Sequence, residues 1–199
     1  MIGHKTQRQL QKEQTRKRLI ETTLAQFAQN GFTATRTSDI AKAAKVSHGT
    51  VFAHFSTQEA LMDAVIEEFG SRVSWRLHEL AAEGGGLRDV LKAHLTGLAE
   101  FEAFYTRLVI ESRLLPDSSR NVLIAIQSTI SLHVSQAAER EMNAGAIDVY
   151  PLHLLFNTWI GLIHYYLANN DLFAPGGSVL ERYGQELLEH YWRMIAVKR

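Results

Sequence analysis

Apolar residues in this chain recur every three to four positions and nowhere alternate cleanly with polar ones, which restricts it to helices packed on helices. Over residues 12–30, Ile20, Leu24 and Phe27 share one helical face, and Asn30-Gly31 ends the helix with a glycine able to take the left-handed conformation. Short helices follow over 37–44 and 48–55, separated by the turn Lys45-Val46-Ser47, with Ser47 placed to cap the second. Ser56-Thr57-Gln58-Glu59 has the spacing of a capping box with Ser56 as cap, opening a helix that carries Leu61, Val65, Phe69, Val73 and Leu77 as far as residue 82. Gly84-Gly85-Gly86 then breaks the chain. Further helices are expected over 87–103, 104–114, 117–144, 151–169 and 178–196, separated by Pro116, Gly145, Pro151 and the stretch Ala174-Pro175-Gly176-Gly177.

With 199 residues, 46% of them hydrophobic, the chain can bury a substantial core and lacks the composition of a disordered one. It contains no cysteine, which excludes disulfides, thiolate zinc sites and cysteine nucleophiles. The most apolar run, 152–168, is interrupted by His153, Asn157, Thr158 and His164 and reads as a buried helix rather than a membrane span of about 20 apolar residues. Residues 1–18 are polar and basic, unlike a secretory signal. The expectation is a soluble, cytoplasmic protein with no membrane partner. Its formal charge of zero hides an asymmetry. Residues 1–54 hold nine Lys/Arg and three acids, a net +6, which the remainder balances with −6. Such a split fits a basic part that meets a polyanion; taken alone, it fits a solvated basic helix face equally well.

Residues 38–55, SDIAKAAKVSHGTVFAHF, have the spacing of a helix-turn-helix. Ala41 and Ala44 permit close crossing, while Ile40, Val46, Val51 and Phe55 supply a shared core. The second helix begins with the small or polar residues Ser47, His48, Gly49 and Thr50. A helix whose N-terminal end enters a major groove needs hydrogen-bonding groups and little bulk there. Together with the surrounding positive charge, the pattern favours DNA binding over an ordinary helical hairpin.

Residues 16–69 resemble the DNA-binding domain of the TetR family of transcriptional regulators. The resemblance rests on Phe27, Gly31-Phe32, Asp39-Ile40-Ala41, Ala43-Ala44, Val46-Ser47, Gly49-Thr50-Val51, His54-Phe55 and Glu59-Ala60-Leu61. It implies an all-α fold: an N-terminal three-helix helix-turn-helix domain (1–55) followed by a helical effector-binding and dimerisation domain (56–199). It further implies base reading by His48, Gly49 and Thr50, and backbone contacts from Thr35, Arg36, Thr37, Ser47, Phe52 and His54. Lys45, a cation on the turn, joins this set on charge alone. Lys45 stands where the family has glycine, Phe52 where it has tyrosine, Gln58 where lysine is common and Arg36 where threonine is frequent. The basic stretch 5–18 could reach a neighbouring groove or remain a free polar terminus.

The helix over 151–169 is apolar nearly all round, and that over 178–196 carries Leu180, Tyr183, Leu187, Tyr191, Met194 and Ile195 at helical spacing. Pairing with their copies would make the four-helix homodimer interface that the resemblance implies; serving as the core of one subunit is the alternative. His94, Phe101, Phe104, Tyr105, Ile126, Ile130, His133 and Trp159 mix apolar and polar groups as the lining of a cavity for a small hydrophobic or aromatic effector would. The nine histidines are scattered, without the i, i+4 or Glu-x-x-His spacing of a metal site, and no nucleotide loop or nucleophile elbow occurs. No metal, cofactor or catalysis is therefore expected. A repressor that binds a palindromic operator as a homodimer and is released by an effector is the expectation. A helical-bundle enzyme or carrier with a structural hairpin, and a regulator without effector, are the competing readings.

Overall fold

The computed structural model describes residues 6–82 and 85–197; side chains of Arg76, Leu80, Ala81 and Ala82 lie outside the description, as do Lys5 and Gly84. Its helices are α1 (Gln7–Asn30), α2 (Thr37–Ala43), α3 (His48–His54), α4 (Gln58–Ala82), α5 (Leu87–Ala99), α6 (Glu102–Glu111), α7 (Asp117–Asn143), α8 (Leu152–Ala168), α9 (Asn170–Phe173) and α10 (Val179–Ile195). No strand occurs among the described residues, only an isolated bridge between Ile147 and Ala196. The fold is all-helical, as periodicity requires.

The boundaries differ from expectation where capping rather than apolar spacing sets them. α1 begins five residues earlier than the expected start at residue 12, because Thr6 and Gln9 form a reciprocal capping box. Its first three turns carry no apolar period and bury nothing before Leu19. α4 begins one residue later than the Ser56 capping box placed it: Thr57 Oγ1 accepts the Ala60 N–H at 3.0 Å, so Thr57 is the cap. Without Gly or Pro to announce it, the α5–α6 break falls at Glu100-Phe101, three residues before the expected one. Glu102 explains the position. Opening α6, its carboxylate accepts the Val179 and Leu180 N–H groups and so caps the start of α10.

The core is continuous across the expected boundary after Phe55. Leu61, Val65, Phe69, Val73 and Leu77 of α4 are buried, and α4 packs on α1, α5 and α7. An aromatic series crosses the molecule: Phe27 stacks on Phe32 at 4.5 Å, Phe32 meets Phe104 at 5.3 Å, and Phe104 meets Phe69 at 5.2 Å. Tyr105 then stacks on Phe69 at 5.4 Å. Arg72 of α4 pairs with Glu21 of α1 and with Glu68, fastening the same two helices at the surface.

Beneath this runs one polar anchor. The Glu111 side chain, at the end of α6, accepts the Phe32 N–H at 3.1 Å, the Thr33 N–H at 2.9 Å and the Thr33 hydroxyl at 2.9 Å. The loop can present those amides because Gly31 holds φ at +85° and leaves no Cβ where the carboxylate sits. Truncation should leave the buried Phe32 N–H without a partner, at about 1–3 kcal/mol, while the N–H of the exposed Thr33 can turn to water. We expect Glu111→Ala to lower unfolding free energy by about 2 kcal/mol in a urea titration; a change within about 0.5 kcal/mol would show that water replaces the carboxylate freely.

Candidate functional site

The starts of α2, α3 and α4 present hydrogen-bonding groups on one face of the N-terminal part. Thr37 Oγ1 and His48 Nε2 lie 3.0 Å apart, joining the first two, and Gln58 Nε2 donates to the Thr35 carbonyl at 3.0 Å, joining the third. Ser47 caps α3 as its position implied, its Oγ accepting the Thr50 N–H at 3.1 Å and lying 2.8 Å from the Thr50 hydroxyl. His48 and Gly49 are exposed and Thr50 half-buried. The His48 ring, held by Thr37, also meets the Phe52 ring edge-on at 5.0 Å, so its orientation is fixed by its own subunit. Phe52 is 42% exposed and offers an apolar surface suited to a sugar or a thymine methyl. Arg36 and Lys45 are exposed beside them.

Lys45 adopts φ +53°, alone among the described non-glycine residues in having a positive value. The turn therefore keeps the backbone that glycine would favour, at a cost of about 1–2 kcal/mol. Val46 N–H donates to the Ala41 carbonyl at 3.0 Å and closes it.

Two of the proposed contact residues play other parts. Thr35 is buried at 2% exposure and its hydroxyl donates to the Gly31 carbonyl at 2.6 Å, so it cannot reach a phosphate; it shapes the loop ahead of α2. His54 is half-buried, with Nδ1 unpartnered among the described residues. Burial, reinforced by Lys12 and Arg16, lowers its pKa and so disfavours the charged ring.

Gly49 separates folding from function. A Cβ there would meet only Ser47 Oγ, at 3.9 Å, so none of the described residues requires glycine here. Alanine is better than glycine inside a helix by about 1 kcal/mol. Gly49→Ala should therefore raise the thermal midpoint while weakening binding to operator DNA at least fivefold; unchanged DNA affinity would remove Gly49 from the interface.

The eight residues expected to line one effector cavity do not come together. Phe101 and Phe104 border a cavity of about 580 Å³ between α1, α6 and the segment before α10, together with Leu24, Ala28, Arg107 and Ser178. His94, Tyr105, Ile130 and Trp159 are instead core residues. Ile126 packs over Gly70, where a Cβ would collide with it, and His133 lies beside His78 with ring centroids 6.2 Å apart. Apolar spacing identified burial here, not a void. A second cavity of about 370 Å³ opens between the end of α6, α7 and α8, and none of the eight borders it. Its polar edge includes Arg113, Arg120, Gln127 and His164. Sequence reasoning passed over these residues because they follow no apolar period; two arginines flanking Pro116 in the acidic half were the available signal.

Two histidines here, one buried and one half-buried, are each paired with an aromatic side chain. Trp159 Nε1–H donates to His94 Nδ1 at 3.1 Å, which leaves the opposite His94 nitrogen protonated, buried and without a partner among the described residues. Tyr105 Oη and His164 Nε2 lie 2.7 Å apart. Burial, reinforced by His164, pushes the His94 pKa down to about 3, and burial pushes that of His164 down to about 4. The unfolded chain takes up these protons near pH 6.5, whereas the folded one does not, so stability is full above that pH and falls as pH drops toward 4. Each histidine contributes a slope of up to about 1.4 kcal/mol per pH unit. Urea midpoints between pH 7.5 and 5 should fall accordingly, and His164→Asn should make the slope shallower, the remainder coming from His94 and from His54 and His133, whose pKa values burial also lowers; an identical slope in the variant would assign the linkage elsewhere.

The N-terminal arrangement matches known proteins. A family model described as "Bacterial regulatory proteins, tetR family" matches residues 19–65. The probable acrEF/envCD operon repressor of Escherichia coli K12 is 34% identical over 90 residues, 45% of this chain, which span only 34% of that repressor's length. The transcriptional regulator UidR of Escherichia coli K12 is 30% identical over 146 residues, 70% of this chain and 72% of UidR. The structure of the regulator FadR from Bacillus subtilis in complex with stearoyl-CoA superimposes with a TM-score of 0.74 over 88% of this chain and 96% of FadR, at 19% identity. These relatives are transcriptional regulators rather than enzymes. The helix-turn-helix geometry, the family match over it and the extended likeness to UidR place this chain in the tetR family of bacterial regulatory proteins.

Proposed function

We propose that the protein is a transcriptional repressor that binds a palindromic operator as a homodimer and is released by a small molecule. The observation that carries this reading is the shared face at the starts of α2, α3 and α4, where His48 and Gly49 are exposed and Thr50 half-buried, with Arg36 and Lys45 also exposed. In it, His48, Gly49 and Thr50 read base edges, while Arg36, Thr37, Lys45, Ser47 and Phe52 fix position on the backbone. Residues 1–55 form the DNA-binding part and 56–199 the effector and dimerisation part. A cytoplasmic site of action follows from a DNA partner; among the described residues no helix is long and apolar enough to cross a membrane. The stearoyl-CoA bound to FadR supports release by a small molecule with an apolar part. Footprinting on the DNA upstream of the protein's own gene tests this reading, and absence of salt-sensitive protection there would refute it.

The dimer reading rests on α8. Its inner face, including Trp159 and Ile163, is spent inside the subunit. Leu154, Thr158, Gly161, Tyr165 and Ala168 form an exposed stripe at helical spacing, small at its centre. A second copy of the same stripe can approach closely there about a two-fold axis. The α10 contribution is narrower than its spacing suggested, because Leu180, Leu187, Tyr191 and Ile195 are buried in their own subunit and only Met194 of the six is exposed. Charges at Trp159 or Ile163 would thus unfold the chain rather than split a dimer. Gly161 is the better probe, since a Cβ there meets nothing within 4 Å. Gly161→Arg should sediment as a folded monomer with operator affinity reduced at least tenfold; a variant that remains dimeric would move the interface away from α8.

A further inference from the structure

We infer that the cavity between the end of α6, α7 and α8 is a binding site for a small monocarboxylate with an apolar or aromatic body, and that its occupant acts on the DNA-binding part through Glu111. This rests on the proposed release by a small molecule and names the chemical class and the route. Arg113 and Arg120 both border the cavity, and no carboxylate does. Leu123, Ile124, Phe156 and Ile160 form its apolar wall. Two guanidinium groups facing an apolar wall match a carboxylate head on a hydrocarbon or aromatic body, since arginine binds carboxylates through paired N–H donors. Arg120 has one competitor, Asp117 at 3.5 Å, but that side chain is 94% exposed and the pair is weak. A volume of about 370 Å³ lies near the lower end of the range for small-molecule sites, about 300–1,000 Å³.

The route to the DNA-binding part is short. Ser112 and Arg113 border the cavity within the 3-10 turn Ser112–Leu114, which directly follows Glu111. Glu111 in turn holds the Phe32 and Thr33 amides, four residues ahead of Thr37 on the DNA-facing surface. A carboxylate bridging Arg113 of this turn and Arg120 of α7 draws the turn toward α7 and displaces the anchor it carries. Carboxylate and DNA then weaken each other's binding by the same factor.

Calorimetric titration of the full chain with octanoate and 4-phenylbutyrate, each against its uncharged amide, tests this. The carboxylates should bind at least tenfold more tightly than the amides, and the Arg113→Gln/Arg120→Gln double variant should lose that preference. Bound operator should weaken carboxylate binding at least fivefold in the native chain and less than twofold in Glu111→Gln, which keeps one acceptor for the loop. Equal binding of acid and amide, no binding of either, or a preference that survives loss of both arginines would overturn the site. Equal operator effects in the native chain and Glu111→Gln would overturn the route. Operator binding is measured first without any probe: a chain that binds operator and is released by other compounds, but ignores the carboxylates, defeats this inference and leaves the repressor reading standing. A chain that binds carboxylates but no operator does the reverse.

Discussion

One carboxylate ties the reading end of this molecule to the rest. Glu111 terminates α6 and takes three hydrogen bonds from Phe32 and Thr33, in a loop that only a positive-φ glycine lets approach so closely. The position of α2 follows from that loop, since Thr35 bonds back to Gly31 and its carbonyl receives Gln58 from the start of α4. Around the polar anchor the rings of Phe27, Phe32, Phe104 and Phe69 make the contact broad as well as specific. Hydrophobic contact alone would hold the two parts together without fixing their angle. The carboxylate supplies direction, because hydrogen bonds tolerate little misalignment.

The helix-turn-helix was legible in the sequence because every level of local chemistry agrees there. Ser47 caps, Ala41 and Ala44 permit close crossing, and Ile40, Val51 and Phe55 are buried where the period puts them. The resemblance made Lys45 legible too, since it stands where the family has glycine and adopts the positive φ that glycine favours. Elsewhere the sequence was silent. The first turns of α1 carry no apolar stripe, and their helix depends on a cap formed by Thr6 and Gln9. The α5–α6 break depends on Glu102 reaching a helix more than seventy residues away, a contact no local pattern encodes.

The candidate cavity was the least legible feature, for a physical reason. Periodicity reports which residues leave water, and His94, Tyr105, Ile130 and Trp159 do leave it. A cavity is a place where packing fails, bounded by residues of any type, and its composition has no period. Thr35 fell to a related ambiguity: the resemblance implied a phosphate contact, but a hydroxyl suits an internal loop bond equally, and only its 2% exposure distinguishes them.

α3 buries a single residue of its seven, Val51. His48, Gly49, Phe52 and Ala53 face solvent, so the helix is anchored by one side chain, by Phe55 just beyond it and by its serine cap. On the proposed reading, recognition chemistry and structural support thus occupy different positions on the same short segment. A lineage can therefore rewrite the DNA sequence it reads through exposed substitutions, which usually change stability by less than about 0.5 kcal/mol. Such a scaffold can diversify its targets while its core stays as it is.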